Sequence, residues 1–427
     1  MTGGTDRQDG RLALVTGAAN GIGWATCRQL AAGGYRIALA DIDGEAARAR
    51  AGELGPGHVA LPVDLTDRAA ASALPARAVA ALGGLDVIVN NAGVTDTSGK
   101  SIADLPEAAF QRLVDLNLLA VEAICAAAAD ILQAGSAIVN LASGASWRPL
   151  ALRGPYSATK AGIVALTQAW ANRLAPRAIA VAAIAPGYTR TPLVEELHRA
   201  GRVDLDKVAL TIPLGRLAMP EDIASVIVFA ASHEGRSISG ETLLVDGGGS
   251  AGPPTPGTAP EPGSKPQGRI AVIGGGPAFA GETSNEIVRL ADPAQIGAAG
   301  PLRAVIDMRL LNERTGAAAA LGAVRETALA CAAHKARTRD FALLHVLGEG
   351  DRPETAAAIA ASEMLARTIA LEWAPAGIRV NALRWRGETP DGLDPLCRFL
   401  VGAGAGMIVG QAIAAGAAQA AMNPRIQ

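Results

Sequence analysis

The sequence predicts an α/β protein built as a doubly wound parallel sheet, present twice, with the second copy truncated. Three observations carry that expectation. Short runs of Val, Ile, Leu and Ala alternate with Ala-rich helical stretches through residue 250, the pattern of parallel strands joined by crossover helices. A glycine-rich turn joins the first strand to the first helix. After a Pro- and Gly-rich break the same pattern returns in shortened form.

At 427 residues the chain suits two domains,. Half of it is hydrophobic but only 3% aromatic, so the core must be Ala, Val, Leu and Ile packed at close range,. A net charge of −2 gives no case for nucleic acid or an anionic membrane as partner,. Cys27, Cys125, Cys331 and Cys397 show no metal-ligand spacing, so no metal site is expected and a cytoplasmic protein with free thiols is the simplest account. Met1–Gly10 lacks an apolar core for a secretory signal. Phe399–Met422 is uncharged, yet it is mostly Gly and Ala and too weakly apolar to span a bilayer,.

Taken in order, Arg11–Val15 reads as a buried strand running into Thr16-Gly-Ala-Ala-Asn-Gly-Ile-Gly23 and then a helix to about Ala32. Gly17, Gly21 and Gly23 permit a tight turn that brings backbone N–H groups to a pyrophosphate at a helix N-terminus, a Rossmann-like arrangement. A second strand, Tyr35–Asp41, ends in a carboxylate placed to hold a ribose hydroxyl, or to cap the next helix. A third, Val59–Leu65, contains Asp64, where an adenine amine would be bound. Leu85–Asn90 leads into Asn91, Ala92 and Gly93, and the helix after it carries Asn117 among apolar neighbours. Ala137–Ala142 finishes at Ser143. A helix then starts near Pro155 and sets Tyr156 and Lys160 four residues apart, on one face. A cation beside a phenol favours the phenolate, so Tyr156 is placed to transfer a proton near neutral pH with Lys160 lowering its pKa.

These motifs resemble the short-chain dehydrogenase/reductase family: the T-G-x-x-x-G-I-G turn, N-N-A-G at Asn90–Gly93, then Asn117, Ser143 and Tyr156-x-x-x-Lys160 in family order. Pro186-Gly187 with Thr191 matches its nicotinamide-side loop, and Ile238–Gly248 its final strand. The resemblance implies Tyr156 as acid/base, Lys160 supporting it and touching the nicotinamide ribose, Ser143 on the substrate oxygen and Asn117 in a proton relay. It implies that Gly17, Asn20, Gly21, Ile22, Gly23, Asp41, Asp64, Leu65, Asn91, Ala92, Gly93, Pro186, Gly187, Thr189 and Thr191 contact the cofactor, together with Tyr156 and Lys160. Val114 or a neighbour would line the same groove. Asp41 without a nearby cation makes NAD the expected cofactor. Leu193–Pro213 falls where the family carries a lid, with Glu195, Glu196 and His198 on it. Arg148 and Arg153 flank the loop before Tyr156, and either hold an anionic substrate group or are ordinary surface residues.

Residues 251–268 form a linker rich in Pro and Gly,. Beyond it, Arg269–Gly276 matches Arg11–Ala18 at an offset of 258 (269 − 11), and Ile378–Leu383 matches Ile179–Ile184 at 199 (378 − 179). Falling offsets mean deletions in the copy. At aligned positions Gly21, Tyr156 and Lys160 become Phe279, Thr355 and Ile359, and Asn117 falls near Gly322, so residues 269–427 read as a degenerate copy without cofactor or catalytic groups. The expected protein is an NAD-dependent dehydrogenase of a secondary alcohol such as a hydroxy acid or polyol, in domain 1–250. Alternatives are an NADPH-dependent 3-oxoacyl reductase and a non-catalytic dinucleotide-sensing scaffold. The second half would serve as a built-in pseudo-subunit, two chains making a four-lobed homodimer.

Overall fold

The computed structural model describes residues 10–148, 150–199, 201, 203–253, 268–280, 282, 284–312, 316–335, 341–350, 352–387 and 392–416. The chain divides into two compact units. One is built on residues up to Pro186 and on Met219–Thr242, the other on Gly187–Ala218 and the residues from Leu243 onward. The boundary expected at 251–268 mostly lies outside the described residues, and the chain before it already groups with the second unit. Main-chain pairing accounts for this. The Gln411 side chain engages both the N–H and the carbonyl of Leu244, and Gly247 N–H donates to the Met407 carbonyl at 2.9 Å while Gly187 N–H donates to that of Val245 at 3.1 Å.

The elements up to Pro186 are β1 (Leu12–Thr16), α1 (Gly21–Ala32), β2 (Arg36–Asp41), α2 (Gly44–Leu54), β3 (Val59–Pro62), α3 (Arg68–Leu82), β4 (Val87–Asn90), α4 (Glu107–Val114), α5 (Ala120–Ile131), β5 (Ala137–Leu141), α6 (Gly154–Leu174) and β6 (Ala180–Pro186). After them come α7 (Pro192–Arg199), α8 (Leu205–Ala209), α9 (Pro220–Ala231) and β7 (Thr242–Val245). The first sheet runs β3-β2-β1-β4-β5-β6-β7. Its pairs from β3 through β6 are parallel. Every residue of β1, β4 and β5 is buried, which is why these strands read as unbroken apolar runs. Side chains such as Leu14, Ile88 and Ile138, at most 1% exposed, each contribute roughly 1.5–3 kcal/mol of transfer free energy. The strand order reverses between β1 and β4, and ligands of such sheets bind outside the carboxyl ends at that crevice.

The second sheet holds β8 (Arg269–Ile273), β9 (Ile287–Leu290), β10 (Leu302–Leu310), β11 (Ala342–Leu347), β12 (Arg379–Trp385) and β13 (Ala412–Ala415), with helices α10 (Ala317–Lys335), α11 (Pro353–Trp373) and α12 (Leu393–Val401). Its order is β13-β12-β11-β10-β8-β9, parallel throughout. Read from the other edge, that is the first sheet's order without its outermost strand. The described residues between β8 and β9 hold no helix. Helices α6 and α11 each span 21 residues with Pro in the first turn, and each is followed by a 3₁₀ turn and a strand. Among the described residues no helix is long and apolar enough to cross a membrane.

Candidate active site

Gly17 and Gly21 adopt φ of 63° and 54°, a region that disfavours any Cβ. Space is tight as well: a Cβ on Gly23 would lie 1.9 Å from the Gly17 carbonyl oxygen. Asn91 holds the turn, its amide donating to the carbonyls of Thr16 at 2.9 Å and Gly17 at 3.1 Å. The Thr16 hydroxyl in return accepts from the N–H groups of Asn91 and Ala92, both at 3.0 Å. Asn91 is thus committed to shaping the cradle.

Beside that turn lies a cavity of about 750 Å³ lined by Gly17, Asp41, Ile42, Val63, Asp64, Leu65, Ala92, Gly93, Val94 and Arg112, among others. Its walls fit an adenosine: the Ile42 side chain, 68% exposed, offers an apolar face, and Asp41 and Asp64 offer acceptors. Asn20, Gly21, Ile22 and Gly23 are not among those walls; they make up the N-terminus of α1. Asp41 accepts from Ala19 N–H at 2.9 Å and Asp43 N–H at 3.0 Å. Asp64 falls beyond β3 rather than within it. Pro62 supplies no N–H to a ladder, and Asp64 turns the chain by accepting from the N–H and hydroxyl of Thr66 at 2.9 and 2.7 Å. Those bonds hold its carboxyl below the usual range.

Sequence reasoning missed Arg50. From α2 it donates to the Ala19 carbonyl at 3.2 Å and lies 4.8 Å from the centroid of the Trp24 ring, while Glu53 accepts from it through both carboxylate oxygens at 2.8 and 3.0 Å. A cation therefore stands one residue from a partner of Asp41, where none was expected. Only the alternation of charge at i and i+3 in α2 hinted at it.

The proton-transfer group is assembled by three elements. Ser143 follows β5 and caps a 3₁₀ turn by accepting from Ala145 N–H at 3.2 Å. Lys160 on α6 is 5% exposed, and its ammonium donates to the Leu141 carbonyl at 2.7 Å and sits 5.9 Å from the Tyr156 ring centroid. Asn117 lies in a π-helical turn, Asp115–Leu119, between α4 and α5; its amide oxygen accepts from Val94 N–H at 2.9 Å and its NH₂ donates to the Val94 carbonyl at 2.8 Å. A Cβ on Gly93 would approach Asn117 Oδ1 to 3.1 Å and Lys160 Nζ to 3.4 Å, so the loop after β4 passes close to both. Tyr156, Ser143, Lys160 and Asn117 are brought together as expected.

The electrostatics differ from the expectation. Burial raises the Tyr156 phenol; a hydrogen bond with Ser143 and the Arg153 charge pull it back in part. Lys160 is itself pushed down to about 8 by burial. A desolvated ammonium six ångströms away from the ring and engaged with a carbonyl is a weaker lever on the phenol than spacing alone suggested.

Pro186 ends β6, and the remaining predicted cofactor contacts belong to the second unit. A Cβ on Gly187 would meet that of Asp246 at 2.6 Å. The buried Thr189 hydroxyl donates to the Gly187 carbonyl at 3.2 Å, and the Thr191 hydroxyl accepts from Val194 N–H at 3.4 Å at the start of α7. Arg190 pairs with Glu195, and His198 contacts the Val203 carbonyl at 2.9 Å. Among the described residues no group of three or more His, Cys, Asp or Glu is arranged to hold a metal.

Residues 17–250 match the family model described as Enoyl-(Acyl carrier protein) reductase. The chain is 41% identical over 243 residues to cis-4-hydroxycyclohexanecarboxylate dehydrogenase of Sinomonas cyclohexanicum, covering 56% of this chain and 96% of that protein. It is 39% identical over 241 residues to the uncharacterized short-chain type dehydrogenase/reductase y4vI of Sinorhizobium fredii, but spans only 44% of that protein's length. Among solved structures it is similar to the 3-ketoacyl-(acyl-carrier-protein) reductase of Brucella melitensis complexed with NADH, at 32% identity and a TM-score of 0.51 over 57% of this chain and 99% of that one.

Proposed function

We propose that this chain, which belongs to the short-chain dehydrogenase/reductase family, is an NAD-dependent oxidoreductase interconverting a polar secondary alcohol and its ketone in the first unit. The observation that carries the reading is the convergence of Tyr156, Ser143, Lys160 and Asn117 behind the carboxyl ends of β4 and β5, next to a cavity sized for a dinucleotide's adenosine end. A nicotinamide bound there supplies the hydride acceptor. Tyr156 takes the proton from the substrate hydroxyl, and Ser143, already bonded to Tyr156, holds the same oxygen as charge develops on it. Lys160, anchored on Leu141, keeps a cation behind the phenol, and Asn117, pinned by Val94, fixes the loop that closes over both. The relative from Sinomonas is named as the dehydrogenase of a hydroxy acid, which favours a hydroxy acid or similar polar alcohol; the ketoacyl reductase likeness keeps an NADPH-dependent 3-oxoacyl reductase as the second reading. A complete proton-transfer set argues against a mere dinucleotide-sensing scaffold.

We read the second unit as a truncated duplicate. Its strand order, the matched α6 and α11, and the offset of 199 that relates them (353 − 154) support this. At the offset of 258 Gly17 aligns with Gly275, which has open space beside it, but Gly21 aligns with Phe279, whose side chain is buried, and Tyr156 and Lys160 align with Thr355 and Ile359. A phenyl side chain thus stands where the first copy has a glycine of its turn, and the proton-transfer groups are absent, so one cofactor per chain is the reading, with a cytoplasmic homodimer of two-lobed chains as the assembly. The test is a screen of purified protein against secondary alcohols, hydroxy acids and polyols with NAD and NADP, followed at the absorbance of the reduced nicotinamide. Turnover of none of them, with dinucleotide binding intact, would favour the scaffold.

A further inference from the structure

We propose that Arg153 binds a carboxylate on the substrate, so that the alcohols this enzyme turns over are hydroxy acids recognised at both ends. The inference rests on the functional reading of Tyr156 given above. Arg153 stands at the N-cap position of α6, three residues before Tyr156. It is half-buried, whereas Arg148 in the same loop is exposed. Among the described residues its guanidinium has neither a hydrogen-bond nor an ion-pair partner, although most other half-buried arginines of the first unit have one: Arg11 bonds Tyr35 and two carbonyls, and Arg50 bonds Glu53 and Ala19. A partly desolvated guanidinium that no carboxylate of the protein neutralises is matched by one that arrives with the ligand. Arg153 stands three residues from Tyr156, whose phenol its charge helps to lower, and an anion held there lies within reach of a substrate whose carbinol faces that phenol.

The surroundings narrow the ligand further. Leu152, immediately before Arg153, has a φ of 62° although it is not glycine, and its side chain is 53% exposed; Trp147, on the same loop, is 51% exposed. Two large apolar side chains held out to solvent on this loop suit a hydrocarbon ring or chain between the hydroxyl and the acid. Lys160, the buried cation nearby, is already engaged with the Leu141 carbonyl, so one guanidinium balances a single negative charge, which favours a carboxylate over a phosphate dianion.

Calorimetric titration of the NAD-loaded protein with cyclohexanecarboxylate, its uncharged amide and inorganic phosphate tests this without turnover. The acid should bind ~10- to 100-fold more tightly than the amide, the scale of one charge-assisted pair, and more tightly than phosphate. Arg153→Gln should erase the difference between acid and amide, Arg153→Lys should retain part of it, and Arg148→Gln should leave it. Equal binding of acid and amide, a preference that survives in Arg153→Gln, or stronger binding of phosphate would each overturn the assignment. A parallel comparison of kcat/KM for cyclohexanol and its 4-carboxylate separates this inference from the reading beneath it. Oxidation of both at equal efficiency leaves the dehydrogenase standing and removes the carboxylate site; acid-selective binding with no oxidation of any alcohol does the reverse.

Discussion

Asp307 on β10 pairs with His345 on β11 at the rung where Asn90 pairs with Asn140 in the first sheet. The registers agree, Asn90 opposite Asn140 and Asp307 opposite His345, and β5 and β11 each continue into the next strand in the same phase. In the first sheet the amide of Asn90 donates to Asn140 at 2.8 Å, and Asn140 donates to the Thr167 hydroxyl at 3.0 Å. The residue 199 positions after Thr167 (366 − 167) is the buried Ala366, and the buried His345 Nε2 is left without a hydrogen-bond partner. Where the first sheet has a neutral amide ladder the second has a charged cluster, in which Asp307 accepts from Arg309 Nε and Nη2 at 3.1 Å each and from the Thr327 hydroxyl at 2.6 Å.

Such a cluster makes the second unit sensitive to acid. Burial alone would raise the Asp307 carboxyl, but His345 at 3.6 Å, Arg309 and Thr327 together hold it well below the usual carboxylate range. Because its pKa is depressed on folding, its stabilisation is present above the unfolded value of ~4 and fades as pH falls through and below that range. Asp307→Asn in the full chain should lower the urea midpoint at neutral pH, consistent with the ~3–5 kcal/mol typical of unpairing a buried ion. The gap from wild type should shrink steadily toward pH 3. A gap of constant size from pH 7 to 3 would show that the carboxylate charge is not what stabilises the unit.

Tyr156→Phe removes the hydroxyl and keeps the ring. Turnover should fall by at least ~10²-fold with dinucleotide affinity little changed. The pH profile then separates the two groups that pull the phenol down. Because burial raises Tyr156 and the Ser143 bond opposes that rise, Ser143→Ala should move the ascending limb of kcat/KM for alcohol oxidation to higher pH, besides lowering its plateau. A limb that stays in place would mean that Ser143 acts on the substrate alone.

Cofactor choice turns on Asp41 and, unexpectedly, on Arg50. The Asp41 carboxylate should accept from ribose hydroxyls and repel a 2′-phosphate, making NAD the preferred dinucleotide. Asp41→Ala should narrow the ratio of dissociation constants for NADP and NAD, measured by calorimetry, and Glu53→Gln, which frees Arg50 from its carboxylate, should narrow it further. If wild type binds both equally, Arg50 already offsets Asp41; if it prefers NADP even in Asp41→Ala, another group decides.

Much of this was legible before any coordinates. The tetrad, the glycine turn and the strand alternation each follow from spacing along the chain, and spacing survives into the fold because α6 and the strand ends are rigid. Arg50 and the Asn91 cradle were not legible as such, since each depends on which loop lies against which strand end. The end of β3 was misplaced because Pro62 and the Asp64 turn act over only a few residues. The i, i+4 spacing of Tyr156 and Lys160 places a cation near the phenol but does not report how deeply either is buried, and burial works against the charge of both. Desolvation of this kind is a tertiary effect that no local pattern reports.

The reading of the second unit predicts a stoichiometry. At the position aligned with Gly21 of the glycine turn the second copy carries the buried Phe279, and beside the loop after β8 an added Cβ on Gly274 would lie 2.9 Å from Arg309 Cγ. Arg309 is also tied to Asp307, Glu326 and Thr327, so it does not swing aside cheaply. Further along, Arg289 donates to the carbonyls of Gly274 and Pro277 at 3.1 and 2.8 Å, taking up acceptors of the loop after β8. Isothermal titration should therefore give one NAD per chain, and the slow Tyr156→Phe variant should still bind one. A two-lobed chain that self-associates as a dimer should run in light scattering at twice the chain mass, with two cofactors per particle. Two dinucleotides per chain would overturn the degenerate reading of residues 269–427, and a monodisperse monomer with full activity would remove the assembly.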